Sequence, residues 1–280
     1  MICSSCGKIS KLVWKSPKPS WRLTSSMRFK SGYSDSQQTH FGFQTVGEEE
    51  KRDKVLSVFH NVADNYDMMN DVMSAGVHRL WKDHFVQKIQ PDRSMKLLDV
   101  AGGTGDIAFR FLERGGGEVV VCDINKSMLG VGEDRAAARG FADSQISWVE
   151  GDAQALSFED NSFDCYTIAF GIRNVVKVDA ALREARRVLR PGGRFLCLEF
   201  SKVRVPGLAA LYDLYSFQVI PPVGHVIAGD WSSYQYLVES IRQFPDQDTF
   251  ASMIRDAGFG FVKYENLTGG IAAIHSAFKL

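Results

Sequence analysis

The chain has 280 residues, is 45% hydrophobic and is formally neutral, with 33 basic and 33 acidic residues. That is enough apolar sequence for a sizeable core, and no run reaches the ~18 apolar residues a membrane-spanning helix needs. Neutrality hides an asymmetry: the first 34 residues carry Lys8, Lys11, Lys15, Lys18, Arg22, Arg28 and Lys30 and no acid, so the remainder is net 0 − 7 = −7, which argues against nucleic acid, whose phosphates need a basic face.

Residues 1–35 place these cations among serines and among Leu12, Trp14, Trp21, Leu23 and Phe29. This composition suits a mitochondrial transit peptide. Cys3 and Cys6 form a lone C-x-x-C with no second pair at zinc-ligand spacing, so no metal is expected. Residues 36–50 read as a polar linker. From 51 to 90 the chain reads as helices, with Val55, Val58 and Phe59 at helical spacing, and is expected to form a helical cap. Tyr66, Met69, Asn70 and Met73 fall on one helical face.

Strands and helices then alternate from Met95 to Phe200, which implies a parallel sheet covered on both faces. The most informative stretch is Lys96 to Asp106, KLLDVAGGTGD: an apolar strand, a glycine-rich turn, then a helix. Such a turn lets the chain fold tightly and bring backbone N–H groups against a ligand. Gly103, Gly105 and Ala108 also satisfy a dinucleotide fingerprint, so the turn alone leaves NAD open. The second strand, Glu118 to Asp123, ends in a carboxylate suited to a ribose diol. The third, Ile146 to Glu150, leads into Asp152 and Ala153, an acceptor side chain and a backbone that could read a purine edge. The fourth, Asp164 to Phe170, ends at Arg173 and Asn174. Helices are expected near 107–114, 127–139 and 178–189. Arg190-Pro191-Gly192-Gly193 ends the last of these, and Arg194 to Phe200 is the fifth strand. Cys122, Cys165 and Cys197 sit in apolar strand runs and read as buried thiols.

An insertion, 201–243, carries Leu208, Leu211, Tyr212, Leu214, Tyr215, Phe217 and Ile220. These could line a tunnel, face a membrane or form a homodimer interface. A helix at 248–257 and an antiparallel strand pair, 261–267 and 271–280, close the chain.

Two blocks resemble a known family. Tyr66 to Trp81, YDMMNDVMSAGVHRLW, is similar to the N-terminal signature of the ubiquinone/menaquinone biosynthesis C-methyltransferases, a branch of the class I S-adenosylmethionine-dependent methyltransferases. Arg187 to Arg194 with Leu198-Glu199-Phe200-Ser201 resembles their C-terminal signature, with Arg190 where lysine is more usual. The similarity spans about Thr39 to Leu280. It implies an α/β, Rossmann-like fold: a mostly parallel seven-stranded sheet with helices on both faces and an antiparallel C-terminal pair. The methyltransferase domain would occupy 51–280.

The resemblance also implies S-adenosyl-L-methionine as cofactor, held at Thr104, Asp123, Asp152, Ala153 and Ala169; bacterial relatives often carry serine at the last position. Asp99, Gly103 and Gly105 complete the expected cofactor set. The implied acceptor is a ring carbon of a polyprenylated benzoquinol. A guanidinium near a quinol hydroxyl would favour its ionisation, which singles out Arg173, with Asn174 as hydrogen-bond partner and Tyr66 as a substrate contact. A water held by Arg173 could take the ring proton, since arginine stays protonated. The implied partners are the proteins of a coenzyme Q biosynthesis complex, with peripheral contact to the matrix face of the mitochondrial inner membrane. Two alternatives stand beside this: an NAD-dependent oxidoreductase, against which Asp99, Asp152 and the closing strand pair argue, and a catalytically idle scaffold that keeps its cofactor.

Overall fold

The structure is a computed structural model that describes residues 38–62, 70–71, 74, 76–205, 207, 212, 214–216, 222 and 231–280. The leader, Tyr66, Met69, Met73, Phe217 and Ile220 lie outside the described residues.

The expectation of a linker at 36–50 is corrected. Gln38–Phe41 (β1) and Gln44–Gly47 (β2) form an antiparallel hairpin, turned at Gly42 with φ +57°, and Glu48–Val62 (α1) follows directly. The hairpin is docked rather than loose: Phe41 stacks on Tyr236 with centroids 4.0 Å apart, and the Phe43 N–H donates to Glu239. Three glutamates open α1, where negative charge is favoured by the helix dipole.

The alternation predicted for 95–200 is present. His78–Ile89 (α2) precedes Lys96–Val100 (β3), Asp106–Glu113 (α3), Glu118–Asp123 (β4), Lys126–Ala138 (α4), Ile146–Glu150 (β5), Phe163–Ala169 (β6), Val178–Val188 (α5) and Leu189–Phe200 (β7). Trp231–Gln243 (α6), Gln247–Asp256 (α7), Gly260–Leu267 (β8) and Ala272–Phe278 (β9) complete the chain. The seven strands order as β5-β4-β3-β6-β7-β9-β8, the first five parallel and β9 antiparallel to both neighbours.

Apolar residues run continuously along β3 and β4 because both faces are covered. Leu97, Val119 and Val121 pack with Phe85, Phe109 and Leu237 on one face. Leu98, Val120 and Cys122 pack with Leu182, Val188 and Phe250 on the other. The three cysteines are buried as expected, and burial raises the Cys122 and Cys165 thiols to about 12.

The stop at Arg190 to Gly193 acts where predicted: α5 ends at Val188, and Gly192 adopts φ +81°. The excursion is tied down by Lys279, which accepts from the Gly192 N–H and donates to the Gly193 carbonyl. His275, which shows no partner in the sequence, is buried with Nε2 3.0 Å from the Gln247 carbonyl.

Candidate active site

The strand order reverses between β3 and β6: the chain winds outward to β4 and β5 on one side and to β6 and β7 on the other. In open α/β sheets a crevice forms at such a point, beyond the carboxyl ends of the strands. A cleft lies there, lined by Val100, Ala101 and Gly103 after β3, Asp123 to Asn125 after β4, Gly151 to Gln154 after β5 and Phe170, Gly171, Asn174 and Val175 after β6. Arg52, Val55 and Leu56 of α1 close it from outside the sheet.

Two N–H groups of the glycine turn are already bonded within the chain. Gly103 N–H donates to Asp123 Oδ2 at 2.8 Å and Gly105 N–H donates to the Gly102 carbonyl. The glycines are needed for close approach instead. A Cβ on Gly105, at φ +83°, would lie 2.5 Å from the Trp148 ring. One on Gly102 would meet Val121 and Asp99 within 2.8 Å. Gly105 therefore packs behind the turn, and only Gly103 of the two lines the cleft.

Asp123 is the hinge of this half. Its Oδ2 holds Gly103 N–H and its Oδ1 holds Asn125 N–H, also at 2.8 Å, so one carboxylate ties the β3 turn to the β4 turn. Burial raises its pKa, while those N–H groups favour the charged form. The Ile124 N–H also favours the charged form, and the carboxylate keeps acceptor capacity beyond these N–H groups. Asp152 is oriented by Gln154, whose backbone N–H and side-chain amide both donate to it, and Gln154 in turn accepts from Lys177 N–H. Ala153 and Ile124 add apolar surface beside these two acids.

Besides Gly105, three expected cofactor residues sit off the cleft wall. Asp99 is fully buried, accepts from Thr167 Oγ1 at 2.7 Å and keeps Oδ2 without a partner; burial pushes its carboxyl up to about 7. It supports the turn from beneath. Thr104 is 2% exposed, and its hydroxyl accepts from Arg135. Ala169 ends β6 and presents no polar atom beyond its backbone.

On the β6 side, Ile172–Asn174 forms a short 3₁₀ turn that brings Arg173 and Asn174 together. Arg173 is 9% exposed. Its Nη1 donates to Glu199 Oε1 at 2.9 Å and to the Phe170 carbonyl, and its own backbone N–H reaches Glu199 Oε2 at 3.4 Å. Glu199, on β7, is thus the carboxylate that pairs with Arg173. Asn174 Oδ1 accepts from the Tyr236 hydroxyl at 3.0 Å, which orients its amide group. Sequence reasoning missed Glu199, Tyr236, Ile124, Asn125 and Arg52. Glu199 lies in the quoted C-terminal block, but nothing local marks it as the partner of Arg173.

Among the described residues no cluster of His, Cys, Asp or Glu is arranged to hold a metal, and no helix is long and apolar enough to cross a membrane.

The strand order, the glycine turn and the acids at the ends of β4 and β5 define a class I methyltransferase fold. A methyltransferase from Thermotoga maritima matches it with a TM-score of 0.56 at 18% identity, covering 80% of this chain and all of that one. The [4+2]-cyclase SpnF matches with 0.53 at 19% identity over 70% of this chain and 81% of its own, a reminder that the fold alone does not set the reaction.

Residues 45–279 match the ubiE/COQ5 methyltransferase family, and the chain belongs to that family. It is 56% identical to the mitochondrial 2-methoxy-6-polyprenyl-1,4-benzoquinol methylases of Bos taurus (90% of this chain, 87% of that one) and Homo sapiens (91% and 88%).

Proposed function

We propose that this protein is an S-adenosylmethionine-dependent C-methyltransferase that methylates a ring carbon of 2-methoxy-6-polyprenyl-1,4-benzoquinol in ubiquinone biosynthesis. The observation that carries this reading is the meeting, at one switch point, of an acid-lined cleft after β3 to β5 with the Arg173 and Asn174 turn after β6, in a chain 56% identical to enzymes named for that reaction.

The cleft fits the cofactor. Asp123 lines it with acceptor capacity left on its carboxylate, as the hydroxyls of a ribose require. Asp152 and the backbone at Ala153 suit a purine edge, with Ile124 against its face. Gly103 admits close approach, since a Cβ there would press on Met128 at 3.1 Å. When bound, S-adenosylmethionine supplies an electrophilic methyl group on a sulfonium.

Transfer to carbon needs alignment and exclusion of water more than covalent help. Arg173 and Asn174 orient the ring oxygens by hydrogen bonding. Water beside Arg173 accepts the ring proton, since a guanidinium cannot. Tyr66 is a further proposed substrate contact. Val205, Leu214 and Trp231, which lie within the 201–243 insertion, are each at least 46% exposed and support contact with a lipid surface. The basic leader and the mitochondrial relatives support action in the mitochondrion, at the matrix face of its inner membrane, beside other proteins of the pathway.

Transfer of a radiolabelled methyl group to a demethylated short-tailed benzoquinol tests the reaction. Calorimetry with S-adenosylhomocysteine and NAD tests the cofactor. Label in the quinol ring and binding of S-adenosylhomocysteine alone are expected; NAD binding without transfer would overturn the proposal.

A further inference from the structure

A second pocket, of about 130 Å³, lies where α2, α3 and α4 meet, and it shares no lining residue with the cofactor cleft. Arg79 on α2, Arg110 on α3 and Arg135 and Arg139 at the end of α4 line it. Among the described residues Asp106 is its one carboxylate and Phe109 its one apolar side chain. In a chain whose residues beyond 34 are net negative, four guanidiniums converge here. Like charges so gathered repel unless something compensates them.

The neighbouring acids do so from the sides. Asp71 accepts from Arg79 Nε and Nη2, Asp83 from Arg110 Nη1 and Glu113 from Arg139 Nη1 at 3.2 Å, and none of these three acids lines the pocket. Asp106 does, but it is already matched twice, by Arg110 Nε at 3.0 Å and by Lys82 Nζ at 2.8 Å. Arg135 donates to the Thr104 hydroxyl. The Arg139 guanidinium is held flat on Phe109, 4.6 Å from the ring centre, and that ring stacks in turn on Phe141.

A guanidinium carries five N–H donors. The bonds above leave Nη2 of Arg110 and both Nε and Nη2 of Arg139 for a further acceptor. Both side chains reach solvent, at 19% and 47% exposure, so these donors are accessible. Planar pairs of N–H groups match the oxygens of a tetrahedral oxyanion, and the excess of positive lining suits a dianion. The volume admits one such group and is well below the ~300–1,000 Å³ of a pocket that takes a whole cofactor.

We propose that this pocket is a phosphate-binding site, distinct from the cofactor cleft, in which Arg110 and Arg139 donate to the oxygens of a phosphate dianion and Arg79 and Arg135 complete the positive wall. It goes beyond methyl transfer and does not depend on that reading. Free phosphate and the monoester headgroup of phosphatidic acid offer the same chemistry, and the test separates the two.

Inorganic phosphate is titrated calorimetrically into the full chain at constant ionic strength, with and without saturating S-adenosylhomocysteine. One site with a Kd of about 1 mM or tighter is expected, unchanged when the cofactor cleft is filled. Arg139→Ala should weaken it about tenfold. Glu113→Gln, which removes the acid competing for Arg139, should tighten it about threefold. Both positions are exposed, so neither variant threatens folding. Greater retention of the wild type than of Arg139→Ala on phosphatidylcholine vesicles carrying phosphatidic acid, with none on phosphatidylcholine alone, assigns the phosphate to a lipid. Calorimetric binding without vesicle retention assigns it to free phosphate. A wild type that gives no phosphate binding, a Kd that neither variant moves, or binding abolished by S-adenosylhomocysteine overturns the proposal, the last because it would put the ion in the cleft.

Discussion

The two halves of the crevice are built by different means. Beyond β3, β4 and β5 the contacts are short in sequence and use backbone donors: Asp123 takes the N–H of Asn125 two residues on and of Gly103 twenty residues back, and Asp152 takes that of Gln154. Beyond β6 the contacts join distant side chains: Arg173 to Glu199 across 26 residues and Asn174 to Tyr236 across 62. A half made from main chain is positioned as soon as the sheet forms. A half made from side-chain pairs depends on several elements docking, and single substitutions can retune it without disturbing the sheet.

Arg173→Ala offers the sharpest way to break this comparison. Turnover should fall by about 10²-fold or more, and the stranded Glu199 charge should cost about 3–5 kcal/mol of stability, while S-adenosylhomocysteine affinity at a permissive temperature holds within about threefold. Equal losses of binding and turnover in single-turnover assays would show that the halves are not separable.

Asp99 sharpens the contrast from beneath the cofactor half. Its native carboxyl is held at about 7 against 3.8 for the ordinary group, so the native state binds a proton through that window and the unfolded state does not. Its stabilising contribution is therefore present at low pH and lost as pH rises from about 4 to about 7, on the order of 4 kcal/mol in all. Asp99→Asn should remove that slope, seen as a gain relative to wild type in urea unfolding at pH 8 compared with pH 5. His275 acts in the opposite sense: burial lowers it to about 4, so its contribution is lost as pH falls from about 6.5 toward 4, equally in both proteins.

Asp123→Asn should cost about 1.5–3 kcal/mol of cofactor affinity, about 10- to 100-fold in Kd, with quinol KM unchanged. Both carboxylate oxygens accept backbone N–H groups, so either orientation of an amide sets donor against donor. The smallest effect is expected from Tyr236→Phe, which frees the Asn174 amide and removes one hydrogen bond worth about 1 kcal/mol. A loss of about fivefold in kcat with intact cofactor binding would place it with the side-chain half.

What could be read ahead of the structure follows the same division. Asp123, Asp152 and Ala153 are legible because an acid or a turn just past a β-branched run has one place to go in a βαβ unit. Gly105, Thr104 and Asp99 belong to the same motif but face away from the cleft. A linear pattern cannot say which side of a turn is buried. Arg173 is legible as a polar residue at a strand end, but its neutral partnership is not, because Glu199 becomes its neighbour only when β6 and β7 pair in register. The 36–50 segment looks like a linker because its polar residues conceal Phe41, which finds its place only against Tyr236.

The order of strands and helices, the glycine turn and the acids after β4 and β5 were determined by sequence, since each depends on side-chain periodicity and backbone freedom within a few residues. Tertiary structure alone decided that β9 inserts between β7 and β8, that the N-terminal hairpin docks on α6, and that Arg173 is paired rather than bare. Those outcomes come from register, burial and charge compensation between segments far apart in the chain, and no local pattern encodes them.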